Sequence, residues 1–333
     1  MSATTQLAPE APRSDEIARS LTGGSMARSR RFRNTTASVM MVVAFLVAAV
    51  PLAVMGAQVF SQGIDAVTSG SWWTSPIPET GRADLAGSEQ MQDLGFGDST
   101  SSATQSAGDV VLGMAPAIVG TLLTVLGASL LAIPLGIMGA VYLHEYGKTG
   151  RLAKLIRFMT DVMTGVPSVI MGVFIYTVWV LPRGIDGRSA FAASLALACL
   201  MLPIVVRSTE EMLRLVPDNL REASAALGTR TWKTTIKVVL PAAVAGITSG
   251  SLLAVARAAG ETAPVVFVIG FVKTTNWSFM GANTTLSAQI YSQQQNGGEL
   301  STQLAWGAAL TLVALVLVLT VVARAISRRF STQ

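Results

Sequence analysis

Two opposite charges, Arg257 and Glu261, stand four residues apart in SLLAVARAAGETAPVVFVIGF, a stretch from Ser251 to Phe271 otherwise apolar enough to lie in lipid. At that spacing two side chains share one face of a helix and neutralise each other. Fastening one helix to a neighbour is the plain use of such a pair. A charge at bilayer depth costs at least about 2.5 to 3.5 kcal/mol on insertion scales, and an uncharged residue serves packing better. The pair therefore points more strongly to a polar path through the membrane, with Thr262 beside it. A second polar group lies in DVMTGVPSVIMGVF (Asp161 to Phe174). There Pro167 removes a helix hydrogen bond, and with Gly165 and the hydroxyls of Thr164 and Ser168 it permits local unwinding onto such a path. A simple proline kink explains the same residues equally well.

These groups need membrane helices to hold them, and the composition supplies those. Of 333 residues 51% are hydrophobic and 13% charged, where soluble domains carry about 25% charged residues. A crossing helix needs about 20 mostly apolar residues. Five runs free of Asp, Glu, Lys and Arg meet or approach that length: Asn34–Ile64, Val110–His144, Val162–Pro182, Ser189–Val206 and Leu300–Ala323. A sixth starts at Val238 and continues past Arg257 and Glu261 to Phe271. The sequence thus reads as an all-α integral membrane protein with six transmembrane helices.

Other chemistry is thinly provided. Cys199 is the single cysteine and His144 the single histidine, so neither an intrachain disulfide framework nor a metal site is expected. No GxxxxGK[ST] phosphate loop occurs, and no catalytic constellation is visible. The first apolar run, Ala37 to Phe60, is too long for a signal-peptide core of about 7 to 15 residues and is read as a retained helix. The leader, 1–36, is expected to be a disordered tail, since it is rich in Ser, Thr, Ala and Pro. Residues 61–109 are expected to form an extracytoplasmic loop, with Trp72 and Trp73 in the headgroup belt.

Orientation follows from Lys and Arg. Nineteen fall in the leader, the second-to-third and fourth-to-fifth connections and the C-terminus, against four on the other side: Arg82, Arg183, Arg188 and Lys273. The positive-inside rule then places both termini in the cytoplasm. The net charge of +5 is a topology signal and calls for no nucleic acid.

The longest cytoplasmic connection, at about 209–241, is too patterned to be a plain connector. Pro217 suits a helix start, Asp218 favours the positive end of a helix dipole, LREASAAL forms helix readily, and Gly228 supplies a stop before TWKTTIKVVLP resumes. Glu222, Ala223, the small Ser224, Gly228 and then Leu240 and Pro241 have the spacing of the EAA loop, and the segment resembles that of ABC importer permeases. It departs from the pattern in Ser224, where Ala is usual, and in Val238, where Ile is usual. DVMTGVPSVIMGVF, LPIVVRSTEEMLRLVP (Leu202 to Pro217) and RAAGETAPV (Arg257 to Val265) resemble the phosphate-system permeases, those of the PstA type above all.

The resemblance implies a type I ABC importer permease fold: a first span at 37–60 after the disordered cytoplasmic tail, and a five-helix core over 110–327. It implies a short coupling helix that docks in a cytoplasmic ATPase subunit, with small residues at Ala223 and Ser224 allowing close approach and Glu222 orienting the lever through a nearby Arg or Lys. It also implies a homologous permease partner (PstC-like), an ATPase subunit (PstB-like, in two copies), a phosphate-binding protein (PstS-like) and a location in the bacterial inner membrane. No cofactor is then bound by this chain, and ATP and magnesium are used by the ATPase. Arg257 would hold the anion through a planar fork matched to phosphate oxygens, with Glu261 preventing trapping. Alternatives are a permease for another oxyanion, sulfate or molybdate, an ion-coupled secondary transporter with Glu261 as proton site, and a membrane-embedded enzyme; a cytoplasmic lever disfavours the last two.

Overall fold

A computed structural model describes residues 28–78, 111–147 and 150–331. Most of the expected tail and the greater part of the expected outer loop lie outside these residues. All regular structure among the described residues is helical. By its contacts the chain divides into two units, 1–58 and 59–333.

The described part of the first unit is a single helical leg, the greater part of α1 (Arg28–Thr68). Side chains from Val39 to Met55 are apolar and exposed around its whole circumference. A helix apolar on every side is matched to lipid rather than to water.

In the second unit, α2 (Ala115–Val141) begins with Pro116 in its first turn, where a missing N–H costs nothing, and widens into a π-type turn over Tyr142–Gly147. Then follow α3 (Arg151–Gly165), α4 (Ser168–Ile175) with irregular helical turns to Gly187, and α5 (Ala190–Arg214). Ser189 caps α5, its hydroxyl accepting from the Ala192 N–H at 3.1 Å. The remaining helices are α6 (Asp218–Ala226), α7 (Thr231–Ala259), α8 (Ala263–Val268), α9 (Leu286–Asn296) and α10 (Glu299–Ser331). Among the described residues five helices are long and apolar enough to cross a membrane, and α3 with the leg from Ser168 makes a sixth crossing only as a bent pair.

That bent pair corrects the expected third span, Val162–Pro182. The chain turns by 105° between α3 and Ser168–Gly184. Val166 is extended (φ −73°, ψ 130°) because the ring of Pro167 excludes it from the helical region. The break is sharper than a proline kink. α3 is moreover amphipathic, carrying Arg151, Lys154, Arg157 and Asp161.

The sixth run also differs from expectation. α7 ends at Ala259, and Glu261 lies beyond it rather than one turn further along the same helix. Pro264 has no N–H to donate to the Gly260 carbonyl, and glycine is itself a poor helix former, so the chain leaves the helix there and restarts as the short α8.

The bundle interior is built from small side chains. Ala128, Ala132, Ala192, Ala193, Ala196, Ala254, Ala258 and Ala288 are buried together with Leu197, Met201 and Val205, and such residues let helices approach closely where water provides no driving force between them. A second cluster surrounds Trp72, which is fully buried and donates its indole N–H to Thr311 Oγ1 at 2.9 Å. The headgroup reading of Trp72 is thus corrected: it plugs the bundle against Ala66, Leu304 and Ala308. Trp73 is half exposed and donates to the Val67 carbonyl at 3.1 Å.

Candidate functional site

Pro217, extended at φ −60° and ψ 140°, leads into α6, and Asp218 occupies the first turn, where an acidic side chain suits the dipole. Gly228 ends the helix with φ 71°. A Cβ there would meet nothing within 4 Å, so the left-handed backbone, and not lack of space, is what requires glycine. Glu222 and Ala223 are exposed. So are Leu227, at 84%, and Trp232. α6 and the turn after it therefore present a mixed apolar and acidic surface outward between two membrane helices, α5 and α7.

Two expectations for this segment change. Ser224 is buried, and its hydroxyl lies 2.6 Å from Thr229 Oγ1 and 2.8 Å from Thr234 Oγ1, which are 3.0 Å from each other. It closes the turn between α6 and α7 and is not on the face open to a partner. Glu222 makes no ion pair among the described residues; its neighbour Arg221 does so instead. Leu240 and Pro241 lie inside α7, Leu240 packing towards Leu213, Val216 and Val239. Pro241 follows a π-type turn at Thr235–Val239, where the ring's missing N–H loosens the regular pattern.

Arg221 is the group that counting charges did not single out. Its Nε and Nη2 donate to Glu145 Oε1 at 3.3 and 3.1 Å, Nη1 to the Val216 carbonyl at 2.8 Å and to Asp218 Oδ1 at 2.9 Å, and Nη2 to the Leu213 carbonyl at 3.0 Å. His144 Nε2 lies 3.2 Å from Nη2. A guanidinium only donates, so this contact is a hydrogen bond only where Nε2 of the imidazole accepts. A second carboxylate, Glu210 of α5, is buried and accepts from Arg157 Nη2 at 2.9 Å and Arg214 Nη2 at 3.2 Å. Arg157 Nη2 also donates to the Leu143 carbonyl at 3.0 Å. Asp161 pairs across helices with Arg207, and not with Arg157 one turn away. Ending the fourth span at Val206 hid this group, because α5 runs on for two more turns and carries Arg207, Glu210 and Arg214 with it.

The opening pair is formed: Arg257 Nε lies 3.4 Å from Glu261 Oε1. Arg257 is in the last turn of α7, where a cation suits the helix dipole, and its side chain is 69% exposed against 20% for Glu261. Twenty residues separate it from Lys237, a helical rise of about 30 Å, so the two stand at opposite ends of the span. The Glu261 carbonyl accepts from Ser287 Oγ at 3.2 Å, and the Leu286 N–H donates to Thr121 Oγ1 at 2.9 Å. The segment after α7 is thus tied to the first turn of α9, and α9 in turn to α2. Thr262 precedes Pro264, whose backbone touches Gly172 on the leg that Ser168 opens. The break at Pro167 and the segment after Glu261 are brought to one another in this way. Thr164 is exposed and donates to the Asp161 carbonyl of its own helix at 2.7 Å. No group of three or more His, Cys, Asp or Glu among the described residues is arranged to hold a metal.

Residues 132–332 match the family described as binding-protein-dependent transport system inner membrane component. The chain is 41% identical over 288 residues to a Mycobacterium leprae protein named phosphate transport system permease protein PstA, covering 86% of each. It is 41% identical over 214 residues to the Yersinia pestis protein of that name, covering 64% of this chain and 72% of the relative. Among solved structures it resembles a chain of a bacterial alginate ABC transporter in complex with an alginate-bound periplasmic protein, with TM-score 0.54 and 14% identity over 90% of this chain and 96% of that one. It also resembles a chain of the inward-facing MetNI methionine ABC transporter, with TM-score 0.51 and 20% identity over 63% and 91%. At these identities the likeness is one of fold. The family match takes in the broken helix, α5, α6 and the Arg257–Glu261 pair.

Proposed function

We propose the following function for a chain that belongs to the binding-protein-dependent transport system inner membrane component family: it is the transmembrane permease subunit of an ATP-driven phosphate importer. The observation that carries this reading is α6, a short helix held between two membrane helices with Glu222, Ala223 and Leu227 exposed. Such a helix suits a coupling lever, since ATP-driven closure of a separate subunit has to move helices inside the bilayer. The names of the relatives supply phosphate as the substrate. The permease is not itself an enzyme; ATP and magnesium are used by the partner ATPase.

The translocation path is shared with a homologous permease subunit, an ATPase docks on α6, and a phosphate-loaded binding protein delivers to the opposite face. The excess of Lys and Arg on the side of α6 supports cytoplasmic termini in the inner membrane. Arg257 meets the anion at the end of the span remote from α6, with Glu261 balancing its charge, Thr262 beside the pair, and Ser168 and Thr164 at the helix break offering further polar groups. Reconstitution with the partner subunits tests the reading. ATP hydrolysis should rise with phosphate-loaded binding protein and stay basal with a sulfate- or molybdate-loaded one; stimulation by the latter alone would transfer the assignment to another oxyanion.

A further inference from the structure

Along α6 the outward-facing Glu222 is preceded by a residue that turns inward. Arg221 is 19% exposed in its side chain and Glu145 8%. The three guanidinium nitrogens are all engaged, and their acceptors belong to three elements: Asp218 on α6 itself, the Leu213 and Val216 carbonyls at the end of α5, and Glu145 on the wide turn that ends α2. Arg221 thereby gives the Val216 carbonyl just beyond α5 a donor and adds a second donor to the Leu213 carbonyl, which also accepts from the Val216 N–H at 3.4 Å. Leu143, on the same wide turn, accepts from Arg157, which also reaches Glu210. The end of α2 is thus held from one side by α3 and from the other by α6.

The covalent chain joins α6 to α5 and α7 alone. Arg221 gives α6 a direct polar contact with the end of α2, beside the indirect route through α5, which itself packs on α2. A cavity of about 470 Å³ opens beside this contact, lined by His144, Glu145, Asp218, Arg221 and the threonines of the α6–α7 turn, so the joint is not locked in a filled interior. We infer that Arg221 and Glu145 form the joint that transmits movement of α6 to α2, a positioning role separate from contact with the ATPase. The inference rests on the reading of α6 as a coupling helix.

Complexes carrying Arg221→Gln, Arg221→Lys or Glu145→Gln are reconstituted in vesicles, and phosphate uptake and ATP hydrolysis are measured per assembled complex. Arg221→Gln should lower uptake about tenfold while hydrolysis stays within about twofold, a ratio in the usual range of coupling between sites. Arg221→Lys, which keeps the charge without the fork, and Glu145→Gln, which keeps an acceptor without the charge, should fall between. If Arg221→Gln does not assemble, the two milder variants decide. A parallel fall of uptake and hydrolysis, no change in either, or loss of assembly in all three overturns the joint. Glu222→Trp on the exposed face separates the two readings: if it alone uncouples, the joint is rejected and the coupling helix stands; if it and the joint variants all transport normally, the coupling helix itself is rejected.

Discussion

A Cβ placed on Gly172 would lie 2.6 Å from Pro264 Cα and 2.7 Å from the Pro264 carbonyl oxygen. The leg after the helix break and the segment after Glu261 are therefore in backbone contact, with no side chain between them. Gly172→Ala forces one of the two to move and should destabilise by about 1 to 3 kcal/mol, as overpacking does, with Gly172→Val worse. Thermal unfolding of the detergent-purified complex measures this. Gly165→Ala is the control: nothing lies within 4 Å of a Cβ there, and its midpoint should hardly move.

Trp72 gives a second prediction. Thr311→Val removes the acceptor of a fully buried indole N–H and should cost about 1 to 3 kcal/mol. Trp72→Ala, which empties the plug, should cost about 3 to 5 kcal/mol. Trp73→Ala, at a half-exposed site, should stay within about 0.5 kcal/mol. Equal losses at Trp72 and Trp73 in the same unfolding assay would contradict the packing described.

Glu210 and Asp161 test burial as the determinant of ion-pair strength. Glu210→Ala leaves Arg157 without its carboxylate and should cost about 3 kcal/mol, the low end for a buried pair, because Arg214 is already 62% exposed. Asp161→Asn breaks a pair whose members are 59% and 50% exposed and should cost under about 1 kcal/mol. The yield of folded complex after membrane extraction should rank the two variants accordingly.

The Arg257–Glu261 pair separates a transport role from a structural one. Arg257→Gln should abolish phosphate uptake yet permit assembly, since glutamine retains length and hydrogen bonding but no charge. In the Arg257→Gln, Glu261→Gln double variant no charge is left uncompensated. Uptake per assembled complex should remain absent; near-normal uptake would make the pair structural.

The six apolar regions were legible because lipid imposes a minimum run of uncharged residues, and the turn at Gly228 because a left-handed backbone selects glycine. What charge counting misplaced were the points where proline overrides hydropathy. Val162–Pro182 reads as one span although Pro167 bends it by 105°, and Val238–Phe271 reads as one although Pro264 helps to end its helix at Ala259. Of the site, Arg257, Glu261 and the exposed face of α6 could be named from spacing alone. Arg221 and Glu145 could not, because 76 residues separate them and only folding brings α2 and α6 together. Ser224 fits a small-residue pattern whether it faces a partner or, as here, two threonines of its own chain.

Phosphate uptake into vesicles holding the reconstituted complex, with ATP supplied on the side of α6 and the proton gradient collapsed, tests the importer most directly. Uptake is expected to require ATP and phosphate-loaded binding protein and to persist without the gradient. Uptake that follows the gradient and ignores ATP would instead make Glu261 a proton site in a secondary transporter and would contradict the ATP-driven permease.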